Sequence, residues 1–444
     1  MRTTTGLFVL MLGLGAIAAA SPAAPTTIAS GTIITKANWQ LYRGFMSNVL
    51  QHMFMSNSPT TAVPPGLQIE VGPARSYPLP ASYWSATEKY AGQARLVKSP
   101  NGGWALANYV AGQPFPFAKL DLEHDPLIAY KLMYDTYYQY VPAIYLVRYP
   151  QQFVVDRYGN RSDHTGVVVD YSLMHNTDPG YPMTIPNSPG EQGVYITSYS
   201  QQLFPVQNQY LTSLAIDFDD PERFPATYAF IPSLRRVLRL STNSRCAPVV
   251  PNADFNYDDG SRIPLPPTWF NATFLGLKKE LEFVVPPDKL SAAEEPTNWY
   301  FNRGPVFPKA RALGAWQMRD VYLISFSRRP QFSSGYCEAR NIRYLDREQV
   351  QTLAWDDFDQ NNKFWRGQFG FLPALPHPSD PAHSYTFVTT DFAHDQADFQ
   401  QDHITVGLPP RHWENNFVID QQVPQQFRNV ARFTTPAGLQ SVLQ

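Results

Sequence analysis

Five of the nine histidines fall between residues 377 and 412: His377, His383, His394, His403 and His412. Histidine next to carboxylates is a common ligand set for transition metals. The densest grouping is HDQADFQQDH, residues 394–403, which reads as a polar loop. No His-Glu-x-x-His and no i,i+4 histidine pair occurs, so the spacing does not build a metal site. A second stretch, DFNYDDG (254–260), opens as a calcium loop does. Such a loop needs a bidentate Glu at its twelfth position. That position is Leu265, followed by two prolines, so a strand or turn is the better reading. Asp217, Asp219 and Asp220 in IDFDDPER could supply an acid–base pair. Carboxylates at a strand end before a proline are, however, the pattern of a solvated turn. With no G-x-S-x-G elbow and no phosphate-cradling glycine loop, no metal, no cofactor and no catalytic residue is expected.

The chain has two cysteines, Cys246 and Cys337. They form either one bridge or two buried free thiols. An oxidising compartment favours the bridge, which in the chain-entropy model stabilises by at most roughly 4–5 kcal/mol. The N-terminus points to such a compartment. MR is followed by the apolar run GLFVLMLGLGAIAAA and then small residues, as in an export signal over 1–22. An uncleaved anchor is the alternative, although the run is short for a span of roughly 20 residues. No cysteine follows it to carry a lipid anchor. The expectation is a soluble protein in the periplasm of a Gram-negative bacterium. Lys and Arg number 35 against 37 Asp and Glu. That balance argues against a nucleic-acid partner, which would call for a basic excess.

The elements that must position these residues are mostly strands. Twenty-five Tyr and 28 Phe favour a pleated surface, and 41 prolines limit long helices. Helical spacing is confined to 36–56, with Trp39, Tyr42, Phe45, Met46, Val49 and Leu50 on one face, and to 124–140. Between them runs a proline-rich arm. From about residue 140, short alternating runs are separated by turn signals. The division expected is 23–123 for the N-terminal helix and arm, 124–420 for a curved antiparallel sheet, and 421–444 for a loose C-terminal tail.

AFIPSLRRVLRLSTNSRC (229–246) fits two patterns. As a helix it gathers Ile231, Leu234, Val237 and Leu238. As a strand it alternates imperfectly. Resemblance decides between them. TYAFIPSLRRVLRLSTNSRC with NADFNYDDG downstream, then SGTIITKANWQLYRGFM, LQIEVGPARSYPLP, ATEKYAGQARLV, NYVAGQPFPFAKLD and RNIRYLDREQVQTLAWDDFDQNNKFWRGQ together resemble the bacterial domain-of-unknown-function family 1329. The resemblance covers nearly the whole mature chain, and it marks Arg235, Arg236, Arg239, Asp254 and Tyr257 as family motif residues. It implies a mainly β (α+β) protein of the outer-membrane lipoprotein-sorting (Lol) type. That fold is a strongly curved antiparallel half-barrel wrapped around helices. Residues 229–246 then form a proline-turned strand pair, and Cys246 with Cys337 fits a bridge between strands.

The resemblance implies a non-enzymatic carrier or accessory protein for a hydrophobic, lipid-like molecule. Its implied partners are transporters of the resistance-nodulation-division (RND) type and outer-membrane barrels. Trp269, Trp355 and Trp365 lie on expected strands and could line an apolar cavity. Two other readings stay open. One is a structural partner of an envelope complex with no ligand. The other is an envelope lipid or glycan hydrolase using the acids around 217–220 or 254–259.

Overall fold

Short alternating runs rich in Tyr, Phe and Val become fifteen strands of one sheet in the computed structural model. The structure describes residues 26–172, 193–241, 246–248, 252–256, 259, 266–387, 393–409 and 411–443. The export segment and Tyr257 lie outside the described residues.

Six strands follow one another as antiparallel hairpins: β1 (Ile144–Val155), β2 (Arg161–Ser172), β3 (Val194–Phe204), β4 (Thr212–Phe218), β5 (Ala226–Ile231) and β6 (Arg236–Arg239). The others are β7 (Phe270–Val285), β8 (Gln317–Arg328), β9 (Arg340–Asp346), β10 (Thr352–Phe358), β11 (Phe364–Pro376), β12 (Tyr385–Phe387), β13 (Ala393–Asp398), β14 (His403–Leu408) and β15 (Phe417–Ile419). Their order is β6-β5-β4-β3-β2-β1-β14-β13-β11-β7-β8-β9-β10. β12 pairs with β11, and β15 pairs with β1.

β11 makes the sheet close on itself. Its first half pairs antiparallel with β10, and its residues 371–373 pair parallel with 283–285 of β7. The circuit β11-β7-β8-β9-β10-β11 is therefore a closed ring of five strands. Such closure demands strong curvature. The expected half-barrel is thus a ring continued by an open arm, β13 to β6.

Helix α1 (Asn48–Met55) packs on the ring at β10 and β11. Its N-cap Ser47 accepts a bond from Leu50 N at 3.4 Å. Asp356 of β10 reaches the same helix end, accepting from Val49 N at 3.0 Å and Asn48 Nδ2 at 2.9 Å. A carboxylate at that end satisfies orphan backbone donors. Val49, Leu50, Met53 and Phe54 then join Phe283, Trp316, Phe369 and Phe371 in the main core. Ile28, Ile34, Trp39 and Ile69 belong to it too, so the N-terminal region is integral to the ring. The helix expected over 36–56 is shorter because two 3-10 turns, Trp39–Leu41 and Arg43–Phe45, precede it. The proline-rich arm ends in α2 (Ala81–Tyr90), and α3 (Ile128–Tyr137) covers β7 and β8.

Two expectations are corrected. Residues 394–403 are not a polar loop but most of the hairpin β13–β14. The strand pattern was hidden because β13 is wholly buried yet mostly polar. The C-terminal segment is not loose. α4 (Val430–Thr434) and the 3-10 turns Pro436–Leu443 place Val423, Phe433 and Leu439 against the arm.

Gly367 on β11 is where α1 and the ring meet most closely. A Cβ there would stand 2.6 Å from the Trp355 carbonyl oxygen and 2.9 Å from Val49 Cβ. Backbone cannot yield as a flexible side chain does, so Gly367→Ala is expected to destabilise by about 1–3 kcal/mol. Denaturant unfolding, monitored by tryptophan fluorescence, checks this. An unchanged midpoint would refute the packing described.

Candidate functional site

The two faces of the arm differ in side-chain size. One carries Val169, Tyr199, Leu214, Ile216 and Phe230 and is covered by the C-terminal segment. On the other, the register aligns Val168, Ser200, Ser213, Ala229 and Leu238 across five strands. The next row is Asp170, Ser198, Ala215 and Thr227. Val168, Asp170, Ser198, Ser200, Ser213 and Ala215 are half-buried, and Leu238 is exposed. Ser and Ala leave the backbone within reach of an incoming group, while Val168, Ile231 and Leu238 supply apolar contact at the rows' ends. Ala229 and Thr227 on this face are buried.

A second polar assembly is closed. Arg366 of β11 is buried, and its guanidinium meets three carboxylates. Nη2 lies 2.7 Å from Glu338 Oε1 and 3.3 Å from Asp259 Oδ2. Nε lies 3.1 Å from Asp357 Oδ2, an ion contact without hydrogen-bond alignment. Arg366 Nη1 also donates to the Asp254 carbonyl. The carboxylates come within 4.8 Å of one another, as metal ligands would. Here the arginine already serves them, so their geometry is that of an ion-pair cluster. Burial, and then the charge of Asp357, push Glu338 up to about 8. Burial pushes Asp357 up to about 7 against the pull of Arg366. Burial also lowers Arg343, with the same three carboxylates opposing it. Burial thus holds both Glu338 and Asp357 above the usual carboxylate range, which lessens the negative charge facing Arg366 and Arg343.

The same assembly latches residues 246–248, 252–256 and 259. The bridge Cys246–Cys337 is formed across 91 residues. It joins a short 3-10 turn to the loop before β9, not two strands as expected. Pro248 and Asn256 share an isolated bridge. Asp254 accepts from Thr405 Oγ1 at 2.8 Å and lies 2.9 Å from His403 Nδ1. Burial raises Asp254 despite these bonds. Burial pulls His403 down, but Asp254 outweighs it and leaves the imidazole raised.

The motif residues therefore divide. Asp254 is in the latch. Arg235, Arg236 and Arg239 are exposed at the β5–β6 turn and on β6, in the expected proline-turned hairpin. Two of the three tryptophans stand beside the ion cluster and the third lies apart. Trp269 sits in a 3-10 turn before β7, not on a strand, and stacks on Phe332 at 4.5 Å. Trp355 is buried on β10 beneath Arg343, 4.7 Å from its ring centre. Trp365 stands on the same face, with the Arg366 guanidinium 4.5 Å from its ring centre, and donates its indole N–H to Asp398 at 2.7 Å. Asp217 is buried on β4, whereas Asp220 bonds Glu222 N in the following turn. Arg366, Glu338 and Asp357 were not singled out by sequence. Their signal is limited to charged residues in runs that otherwise read as buried strands.

The fold is mainly β, a largely antiparallel ring-and-arm sheet with a closed ion cluster and one small-residue face on its arm. The chain belongs to the family described as "Protein of unknown function (DUF1329)", whose model matches residues 33–439. Three solved structures are similar to it. A DUF1329 family protein from Desulfovibrio piger is 10% identical, with a TM-score of 0.45 over 70% of this chain and 99% of that one. A domain described as of the outer-membrane lipoprotein-sorting type, from Vibrio parahaemolyticus, is 9% identical, with a TM-score of 0.44 over 70% and 100%. A LolA superfamily protein from Nitrosomonas europaea is 7% identical, with a TM-score of 0.36 over 70% and 98%. No curated protein matches the chain.

The buried acids set a pH dependence. Burial also raises Asp356 and Glu280, each to about 7. Unfolded carboxyls titrate near 4, so the folded state holds extra protons between roughly pH 4 and 8. Their stabilisation is full below the unfolded values and is lost as pH rises through 7 to 8. His403, being raised, acts in the same direction. His52 and His164, lowered by burial, act oppositely. We expect the melting temperature to fall as pH rises through this range, and Glu338→Gln, which mimics the protonated acid, to flatten the fall. A melting temperature that rises with pH over that range would contradict the cluster's protonation.

Proposed function

We propose that the protein is a non-enzymatic carrier or accessory factor of the bacterial envelope that binds a hydrophobic, lipid-like molecule. In this reading it is exported on residues 1–22 and works with RND-type transporters and outer-membrane barrels. The observation that supports the reading is the open face of the arm. Its middle rows are Ser, Ala and Thr, while the ring is packed with its own aromatic side chains. Ligand sites are concave surfaces with apolar contact and a few placed polar groups. Here Val168, Ile231 and Leu238 give the first, and Ser198, Ser200 and Ser213 give the second. Acid–base chemistry has less support. The carboxylates at 254 and 259 are held by His403, Thr405, Gln396 and Arg366.

Saturable uptake of a dansyl-labelled fatty acid by the purified full chain tests the proposal. Ala215→Trp, which fills the face, is expected to weaken binding about tenfold, or about 1.4 kcal/mol, with the melting temperature retained. Absence of uptake by the unaltered protein would overturn the carrier reading in favour of a ligand-free structural partner.

A further inference from the structure

Five short hairpin turns emerge from one end of the sheet, beside the longer β8–β9 connection, 329–339. They connect β1 to β2, β3 to β4, β5 to β6, β13 to β14 and β10 to β11. The registers fix this common direction: Val155 pairs with Arg161 and with Ile404, Asp398 with His403 and with Arg366, and Gln201 with Thr212. The turns differ in character across the molecule. The two on the ring side, 359–363 and 399–402, are DQNNK and FQQD. Their one aromatic, Phe399, packs on Phe364 and His52. The three on the arm side expose Tyr158, Phe204, Val206, Tyr210 and Leu234. These are five of the fourteen large hydrophobic side chains exposed among the described residues, so the apolar surface concentrates on the arm's turns. Tyr158 is 79% exposed, Val206 75% and Leu234 56%, which places them at the tips and not in a groove.

Charge follows the same division. Around the arm's turns stand Arg157, Arg161, Arg235 and Arg236 against Asp156 and Asp163. Asp163 is taken by Arg161 at 2.5 Å. Asp156 is taken by its own turn, accepting from Tyr158 N, Asn160 N and Asn160 Nδ2. Arg157, Arg235 and Arg236 make no ion pair with a carboxylate among the described residues. The turns 359–363 and 399–402 carry Asp359 and Asp402 against Lys363, and the β8–β9 connection carries Arg329 and Glu338.

We propose that the arm's three turns dock the protein on an anionic lipid bilayer, with their apolar tips entering the interface and their arginines meeting lipid phosphates. Tyr and Phe at tips, with arginine beside them, match the layered chemistry of a bilayer surface. Separate protruding tips suit a fluid surface that closes around each of them. A protein partner is better served by a contiguous flat patch. The proposal goes beyond ligand binding and does not depend on it.

The test is co-sedimentation of the full chain with vesicles. One set contains phosphatidylglycerol in phosphatidylethanolamine, and the other contains phosphatidylcholine alone. The expected result is sedimentation with the anionic vesicles, suppressed by salt, and little with the neutral ones. Val206→Asp with Leu234→Asp, and separately Arg157→Glu with Arg236→Glu, should each weaken partitioning by about tenfold or more. These side chains are exposed, so unchanged melting temperatures verify that the variants fold. Failure of the unaltered protein to bind anionic vesicles overturns the proposal, as does binding that neither double variant weakens. Protection of these turns from proteolysis by an envelope protein, without vesicle binding, also overturns it and assigns the tips to a protein partner. Uptake of the dansyl fatty acid, measured in the same variants, separates the two proposals, since it is expected to persist when docking is lost.

Discussion

A guanidinium with almost no access to water must be met by opposite charge, and the covered side of the ring is arranged around meeting that need for Arg366. Its partners come from three places: Asp357 from the neighbouring strand, Glu338 from the loop before β9, and Asp259 from the latched segment. A buried charge left unpaired costs several kcal/mol, so each partner's position is constrained by the others. The three carboxylates exceed what one arginine can neutralise. Arg343 adds a second positive charge, and burial holds Glu338 and Asp357 above the usual carboxylate range, which lessens the excess. The disulfide then fixes the approach of the segment that supplies Asp259 and Asp254.

Two adjacent aspartates on β10 show how one strand serves both faces of the ring. Asp356 and Asp357 point oppositely because strand side chains alternate. Asp356 takes Tyr344 OH at 2.8 Å and the first amides of α1. Asp357 takes Asn341 and Arg366. A slip of one residue in β10 would exchange their surroundings, leaving α1 uncapped and Arg366 underpaired. Both polar anchors therefore specify the same register. That register also brings Gly367 opposite Asp356, where α1 needs a residue without a side chain.

Much of this was legible in the residues. The strand–turn–strand of 340–376 and the helix at 128–137 follow from alternation and 3.6-residue spacing, whereas the hairpin at Pro232 needed the family resemblance to decide it. The number of cysteines allowed one bridge or two thiols, and the structure forms the bridge. β13 was not legible, because AHDQAD lacks an apolar alternation and is nevertheless buried on both faces. The ion cluster was hidden for a different reason. Its members are separated by 9 to 107 positions along the chain, and only the fold brings them together. The tryptophans misled because size and strand location do not reveal what a side chain packs against: Trp355 and Trp365 lie against the arginines of the ion cluster.

Closing the ring has a further consequence for the arginine-rich stretch at 235–239. Ring strands have neighbours on both sides, whereas among the described residues β6 is the last strand of the arm. An unpaired edge is a template on which another chain can add a strand. β6 is only four residues long, and Arg236, Leu238 and Arg239 on it are exposed. A short edge lined with positive charge repels an identical edge brought alongside. The arginines thus act against self-assembly into larger sheets, a hazard that any protein with so much strand must contain while its aromatic core is still forming.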